Sequence, residues 1–432
     1  MINSPVHPTT ELAKLCSVPP RNGVYKPDTF IGRGVKLVRM GELFSSDVID
    51  STQTYFQLLD LTSSEKDRFL LENGDLLFSR TSVKAAGIGK CSIVKKTRYD
   101  DLAFDSNMIR VRLSKTQGWP RYFFYYFLSP EGRDNVRSVA GGVAVTAIKG
   151  SDLARLQVPV PPLPMQRKIA AILSAYDDLI ENNLRRIKIL EEMAQNLYRE
   201  WFVKFRFPGH QHVRFTDSPL GRIPEGWEVN TVENTFAILG GGTPSRTVPE
   251  YWDEGTINWY SPTDLTATGS MFMERSGNQI SELGLKKSSA RLFPSFSVMM
   301  TSRATLGVIS INTTEACTNQ GFITCVPHER FPLYTLYYWL KENVEYFISL
   351  GTGATFKEIT KGVFKTIELV VPAQAIVTQF EDTVQQFALQ VLNLQRKSTT
   401  LRRTRDLLLP RLISGEVDVS ELDIIIPEEA QA

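Results

Sequence analysis

The chain repeats itself, and this internal duplication constrains its fold more than any other feature of its 432 residues. Val35 in the first half corresponds to Ile257 in the second, at a separation of 222 residues. From Ile148 and Ile359 onward the separation settles at 211 residues and holds over about fifty positions, which leaves no room for insertions. The sequence therefore predicts two copies of one fold, each ending in a long helix.

Short polar phrases recur between the same two halves. Ser79-Arg80, which follows an apolar run, is matched by Ser302-Arg303, and Asp105-Ser-Asn107 is matched by Cys317-Thr-Asn319. The separation drifts from match to match, as expected where loops differ in length between two copies of one fold. We interpret the protein as a tandem duplication.

Apolar residues follow a heptad pattern in residues 166–202, and a similar pattern recurs 211 residues later. The first of these segments contains neither Gly nor Pro. A helix of this length extends about 55 Å. Each heptad pattern could also belong to a helix that packs on a domain core. Two matched helices separated by a globular domain nevertheless favour an antiparallel coiled coil. Asn183, Ser398 and Arg405 interrupt the pattern and could fix its register. The predicted seam consists of Leu173, Tyr176, Ile180, Asn183, Ile187, Leu190, Leu197, Val384, Phe387, Val391, Leu394, Leu401 and Leu408.

The remaining segments mix short β-type runs with Gly, Ser and Asn turns and one aromatic helix each, predicted over residues 119–129 and 331–348. We therefore predict an α+β protein of two duplicated globular domains and two long helices. The predicted boundaries are 1–157 for the first domain, 158–207 for the first helix, 208–371 for the second domain (208–221 being linker), 372–420 for the second helix and 421–432 for a tail.

Composition excludes several classes of protein. Lys and Arg number 49 and Asp and Glu 47, so the net charge of +2 excludes a histone-like polycation but leaves room for a local basic face. The four cysteines are too scattered for a disulfide framework or a zinc site, and no stretch is apolar enough to span a membrane. The sequence thus predicts a cytoplasmic protein without a metal site.

The chain lacks a readable catalytic constellation. It contains no phosphate-binding loop, no nucleophile elbow and no Asp/Asn-Pro-Pro-aromatic motif of adenine methyltransferases. His210 and His212 could touch a metal, but a solvated loop pair is the favoured interpretation. We therefore predict that the chain has no catalytic residues of its own.

Polar residues that could contact DNA stand in matching places in the two halves, after an apolar strand and in a glycine-bounded loop. Arginine can bind guanine with two hydrogen bonds, whereas hydroxyls and lysines hold phosphates. For each residue alone, a solvated surface position is the alternative. The candidates are Ser79, Arg80, Thr81, Lys84, Thr146, Lys149, Ser302, Arg303, Thr355 and Lys357.

Four phrases now point to a known family. They are Gly221-Arg-Ile-Pro-Glu-Gly-Trp227, which opens the second domain, Pro161-Pro-Leu-Pro-Met-Gln166 at a helix start, Leu407-Leu-Leu-Pro-Arg-Leu-Ile-Ser-Gly415 at a helix end, and Gly74-Asp-Leu-Leu-Phe-Ser-Arg80. In this order, and duplicated around two long helices, they resemble the specificity (S) subunits of type I restriction–modification systems.

The resemblance implies that each globular unit is a target recognition domain that reads one half of a bipartite, asymmetric DNA site. The antiparallel helix pair, related by a pseudo-two-fold, would set the spacer and dock two modification (M) subunits. Those subunits would carry S-adenosylmethionine and methylate adenine, while two restriction (R) subunits would use ATP and Mg²⁺. The alternatives are a stand-alone DNA methyltransferase or nuclease with unrecognised motifs, and a coiled-coil scaffold that binds proteins.

Overall fold

A computed structural model describes residues 7–82, 87–141, 146–353 and 357–426, with the backbone alone at position 146. The described chain divides into a first unit, which runs to Glu181 and resumes at Thr399, and a second unit of Asn182–Ser398. Each unit combines strands, short helices and a portion of both long helices, which confirms the α+β class. The domain boundaries drawn from sequence remain predictions, because these units are divided within the helices.

The first unit is built on a five-stranded sheet and a three-stranded sheet. The larger sheet has the order Cys16–Asn22, Met108–Leu113, Leu76–Ser79, Cys91–Lys95, Val48–Asp50, and the smaller one Gln57–Leu59, Ile31–Val38, Leu102–Phe104. Two-stranded pairs join Thr9–Glu11 to Gln157–Pro159 and Thr81–Ser82 to Thr146–Ala147. The short helices are Leu12–Leu15, Asp28–Phe30, Met40–Ser45, Ser63–Phe69, Pro120–Leu128, Pro130–Ser138 and Gly150–Ala154.

The second unit repeats these sheets strand for strand. Its five-stranded sheet has the order Ala237–Gly240, Phe322–Val326, Val298–Thr301, Ile309–Asn312, Phe272–Met273, and its three-stranded sheet Asn278–Ile280, Ile257–Tyr260, Ala316–Thr318. Glu228–Thr231 pairs with Glu368–Val371, and a hairpin of Phe215–Ser218 and Gly221–Pro224 begins in the predicted linker and extends beyond its end at residue 221. The short helices are His210–His212, Val232–Thr235, Pro249–Tyr251, Pro262–Thr268, Glu282–Lys286, Leu333–Glu342, Val344–Leu350 and Lys361–Lys365.

An aromatic helix fills the core of each unit. The first, Pro120–Leu128, begins with a proline that suits the first helical turn, and it confirms the helix predicted over 119–129. The helix predicted over 331–348 is wrong as a single element, because the structure breaks it at Asn343. The Asn343 side chain donates to the carbonyl of Trp339 (2.8 Å) and so competes with the helical backbone pattern.

The two long helices span Leu163–Tyr198, with a further π-helical turn to Val203, and Gln374–Ile413. In the first unit Leu173 packs in one core with Leu409, and in the second unit Tyr198 contacts Phe380, with ring centroids 5.9 Å apart. The start of each helix thus meets the end of the other, which is antiparallel pairing. Every residue of the predicted seam is buried or half-buried. Within the described part of the chain, no helix is long and apolar enough to cross a bilayer.

Asp177 joins three elements of the first unit. The hydroxyl of Tyr125, on the aromatic helix, donates to one carboxylate oxygen of Asp177 (2.6 Å), and the Arg405 guanidinium binds the other oxygen. Burial, together with the nearby Asp177 carboxylate, raises the pKa of Tyr125 far above its usual value, so the phenol remains a donor. Arg405, which interrupts the predicted seam, therefore has a partner on the opposite helix.

Removing this carboxylate should destabilise the first unit. We expect Asp177→Ala to lower the free energy of unfolding by about 1–3 kcal/mol, because Tyr125 and Arg405 each lose a hydrogen-bond partner in a half-buried place. Asp406→Asn, which alters the exposed partner of the same arginine, should change it by less than about 0.5 kcal/mol. Chemical denaturation of both variants measures the difference, and equal effects would contradict this role for Asp177.

Candidate nucleic-acid interface

Several chain segments meet at one edge of the sheets in the first unit. Asp105 begins this edge with a tight turn, in which its carboxylate accepts the N–H of Asn107 (2.7 Å). The Arg80 N–H donates to the carbonyl of Asn107 (2.8 Å), and the Arg80 carbonyl accepts the N–H of Ile148 (2.9 Å). The exposed Lys149 follows directly. Backbone bonds thus bring the two loops predicted to contact DNA to the same edge.

A third loop reaches this edge without having been predicted. It follows strand Cys16–Asn22 and begins at Gly23, where a Cβ atom would lie 2.2 Å from the carbonyl oxygen of Asp105, so only glycine permits this approach. Two residues later the side chain of Tyr25 is 83% exposed. The next residue, Lys26, holds the loop through an ion pair with Glu65 (2.7 Å). An exposed aromatic side chain on a fixed loop is suited to contact a base or sugar.

The second unit builds the same edge from the same backbone bonds. The Asn319 side chain accepts the N–H of Gly321 (2.9 Å) in the corresponding turn. The Ser302 N–H donates to the carbonyl of Gly321 (2.8 Å), and the Ser302 carbonyl accepts the N–H of Ile359 (3.0 Å). A Cβ atom at Gly241 would lie 1.9 Å from the carbonyl oxygen of Asn319, as at Gly23 in the first unit. The two edges are one scaffold used twice.

These bonds correct the match between the two arginines. Ser302, not Arg303, occupies the backbone position of Arg80, and Arg303 corresponds to Thr81. The preceding residues confirm the register, since the side chains of Ser79 and Thr301 accept equivalent backbone N–H groups, at 3.0 and 2.9 Å. The phrase Ser-Arg therefore recurs one residue out of register, and the arginines hold different places on the shared edge.

The matched asparagines are corrected in the same way. The turn that starts at Asp105 in the first unit starts at Asn319 in the second, so Asp105-Ser-Asn107 corresponds to Asn319-Gln-Gly321 and not to Cys317-Thr-Asn319. Such a turn needs a side-chain oxygen at its first position, which Asp and Asn both supply. The sequence match aligned Asn107 with Asn319 because they are the same residue type, whereas Asp105 and Asn319 occupy the same position in the turn.

The predicted contact residues near the ends of strands Leu76–Ser79 and Val298–Thr301, where the post-strand loops begin, differ in exposure. Ser79 and Ser302 are buried, and the Ser79 hydroxyl donates to the carbonyl of Gly87 (2.7 Å). Arg80 is half-buried, with one guanidinium nitrogen donating to the carbonyl of Ser106 (3.3 Å), whereas Arg303 is exposed. As DNA contacts all of these remain predictions, and the two arginines are more accessible than the two serines.

The glycine-bounded loops pair with the post-strand loops in both units. Thr146 pairs with Ser82 through its backbone in the first unit, and Arg303 forms a β-bridge with Glu358 in the second. Lys357, beside that bridge, is exposed. Among the other candidates, Thr81 is half-buried next to Asn107, while Lys84, Thr355 and the side chain of Thr146 lie outside the described residues.

The side chains at these two edges differ from those of a metal or thiol centre. In the described ranges no group of three or more His, Cys, Asp or Glu side chains could hold a metal ion. Burial raises the pKa of the Cys16 thiol to about 11 and those of Cys91, Cys317 and Cys325 further, so these thiols are poor nucleophiles. What both edges present are cations, hydroxyls and backbone groups, which suit phosphate and base contacts.

The comparisons with known proteins agree with this duplicated arrangement. The chain matches the domain family described as the type I restriction modification DNA specificity domain twice, over residues 35–192 and 224–398. Together the two matches cover more than half of the chain, which therefore belongs to the family of type I restriction–modification specificity subunits. Proteins of this family are non-catalytic subunits, which confirms the prediction that the chain is not itself an enzyme.

Individual relatives show the extent of the similarity. The MjaIX specificity subunit of Methanocaldococcus jannaschii is 27% identical over 310 residues, covering 70% of each chain. The HindI specificity subunit of Haemophilus influenzae is 22% identical over 407 residues, covering 80% of this chain and 87% of that one. The crystal structure of the S subunit from M. genitalium shares the fold, with a TM-score of 0.57 at 14% identity over 95% of this chain and 97% of that chain.

The geometry of Ser79 gives a testable distinction. We expect Ser79→Ala to lower the free energy of unfolding by about 1–3 kcal/mol, because it removes the hydroxyl's bonds to the Gly87 carbonyl and the Lys90 N–H and leaves these half-buried groups with only the long bond between them (3.3 Å). The half-buried neighbour Thr81 offers a matched control, since Thr81→Ala should change stability by less than about 0.5 kcal/mol. Thermal and chemical unfolding measure both, and an unchanged stability of Ser79→Ala would contradict its structural role.

Proposed function

We propose that this chain reads a bipartite, asymmetric DNA sequence for a type I restriction–modification complex, each unit reading one half. The observation that carries the proposal is the duplicated edge, in which the same backbone bonds display different side chains. Arg80 stands where the second unit has Ser302, and Thr81 where it has Arg303. Two equal scaffolds with unequal contact residues are suited to two different half-sites, because base readout depends on side chains.

We further propose that the paired helices set the distance between the half-sites and dock the modification subunits. The pairing supports the first role, since a helix of 36 residues is about 54 Å long. Large apolar side chains that remain exposed on these helices support the second, because such residues are enriched in protein–protein interfaces. They include Leu179, Leu184, Ile189, Met193 and Leu389.

The proposed assembly is cytoplasmic and contains two modification subunits and two restriction subunits. The modification subunits would supply S-adenosylmethionine for adenine methylation, and the restriction subunits would use ATP and Mg²⁺. This chain would contribute DNA recognition alone. The family membership supports this division of labour, while the subunit numbers and cofactors are part of the proposal.

Methyl transfer and DNA binding test the proposal against its two alternatives. The purified chain is incubated with cognate DNA and labelled S-adenosylmethionine, with and without the modification subunit. We expect methylation only when both proteins are present, and DNA binding that weakens steeply as salt rises. Methylation by this chain alone would favour a stand-alone enzyme, and a complex that does not bind DNA would favour a protein-binding scaffold.

The spacer role predicts the effect of lengthening the helices. Inserting four alanines after Arg185 and after Arg396, which are 211 residues apart, adds about one turn and about 6 Å to each helix. We expect the unspecified spacer to lengthen by about one or two base pairs, at about 3.4 Å each, with both half-sites unchanged. Sequencing of methylated DNA measures the motif.

A matched insertion separates length from disturbance. The same four alanines placed after Gly209, outside both long helices, should leave the spacer as it is. Altered half-site bases in the helix variant, or an altered spacer in the Gly209 variant, would contradict the assignment of spacing to the helices.

A further inference from the structure

The loop that follows strand Ala237–Gly240 in the second unit is fixed by two tryptophans. The indole N–H of Trp259 donates to the carbonyl of Gly242 (2.8 Å), and that of Trp252 donates to the carbonyl of Ser245 (3.0 Å). The two indoles pack edge to face, with centroids 5.2 Å apart. The backbone from Gly242 to Ser245 is therefore fixed at both ends by hydrogen bonds from tryptophan side chains.

Arg246 comes next and lies over these rings. Its guanidinium carbon is 3.6 Å from the ring centroid of Trp252 and 5.2 Å from that of Trp259, which is cation–π stacking. One guanidinium nitrogen donates weakly to the side chain of Asn278 (3.4 Å). The side chain is nevertheless exposed, and no carboxylate of the described residues forms an ion pair with it. The planar Arg246 guanidinium is thus fixed in position, and most of its N–H groups remain available to bind a ligand.

The loop is attached to the candidate nucleic-acid interface of its unit. The Thr243 hydroxyl donates to the side chain of Gln320 (2.7 Å), and Gln320 is the middle residue of the turn that begins at Asn319. Asn278, the partner of Arg246, pairs with Trp259 one residue before the end of the strand, and that last residue, Tyr260, accepts the N–H of Asn319 (3.0 Å). Arg246 therefore lies on the same edge as the turn, although the sequence did not single it out.

We propose that Arg246 is a DNA contact of the second unit, which presents its guanidinium to a bidentate acceptor. Two acceptors on a duplex fit this chemistry, the O6 and N7 atoms of guanine and the paired oxygens of a phosphate. The stacking on Trp252 fixes the side chain before binding, so little conformational freedom is lost on contact. This inference rests on the proposed function and adds a residue to it.

The corresponding loop of the first unit also places a cation over an aromatic ring, Lys26 over Phe30 (4.5 Å), but it does not present that cation to solvent. There the cation is Lys26, whose side chain is only 10% exposed and is engaged by Glu65. The Arg246 contact would therefore act on one half-site only. This asymmetry makes the inference distinguishable from a general loss of DNA affinity.

The test uses the chain in complex with its modification subunits. Arg246→Ala should weaken binding to cognate duplex by about tenfold or more at fixed salt. Arg330→Ala is the matched control, because it removes another exposed arginine of the same unit, one that pairs with Glu228 (2.6 Å), and it should change the affinity by less than about twofold. Arg246→Lys keeps a cation over the Trp252 ring and supplies a second variant if the alanine protein fails to fold.

The motif and the salt dependence separate the two acceptors. A guanine contact predicts that Arg246→Lys methylates sites with a different base at one position of one half-site. A phosphate contact predicts an unchanged motif and a slope of log affinity against log salt that is shallower by about 1 in Arg246→Ala. Either result supports the inference.

Two outcomes would overturn it, and they differ from one another. If the Arg246 variants keep the wild-type affinity, motif and salt slope, the arginine only braces the tryptophans. If the wild-type complex fails to bind duplex DNA at all, the proposed function itself fails, and the Arg246 contact with it.

Discussion

The structure depends on the attachment of each globular part to the paired helices, whose apolar residues belong to the core of each unit. In both units a carboxylate on a long helix adds hydrogen bonds to this attachment. In the first unit Asp177 accepts from Tyr125, on the aromatic helix, and binds Arg405 on the other long helix. In the second unit Glu381 accepts the backbone N–H groups of Thr335 (2.6 Å) and Tyr334 (3.2 Å) at the start of the aromatic helix.

These two attachments are not copies of one another. Glu381 corresponds by the constant separation of 211 residues to Ala170, and Asp177 to Ala388, so neither carboxylate has a counterpart. Burial raises the pKa of Glu381, against the lowering effect of the N–H groups from which it accepts hydrogen bonds. In both units a long helix thus anchors the aromatic helix, but the anchoring residues differ.

Periodicity and repetition made a large part of the fold predictable. The helices followed from heptad spacing and an insertion-free match, and the α+β class from alternating short runs. The equivalence of single residues did not follow, because Arg80 and Arg303 share a letter but not a backbone position. The burial of Ser79 and the stacking of Arg246 depend on contacts distant in sequence, and the helix break at Asn343 depends on one side-chain bond.

The central claim is that one scaffold, used twice in one chain, reads two different half-sites. It is tested most directly by sequencing the methylated DNA of a host that carries the modification subunit, with and without the gene for this chain. The account predicts one adenine-methylated motif of two unequal parts, separated by unspecified bases, which disappears when the gene is removed. A methylation pattern that does not change, or a lost motif that is continuous, would contradict it.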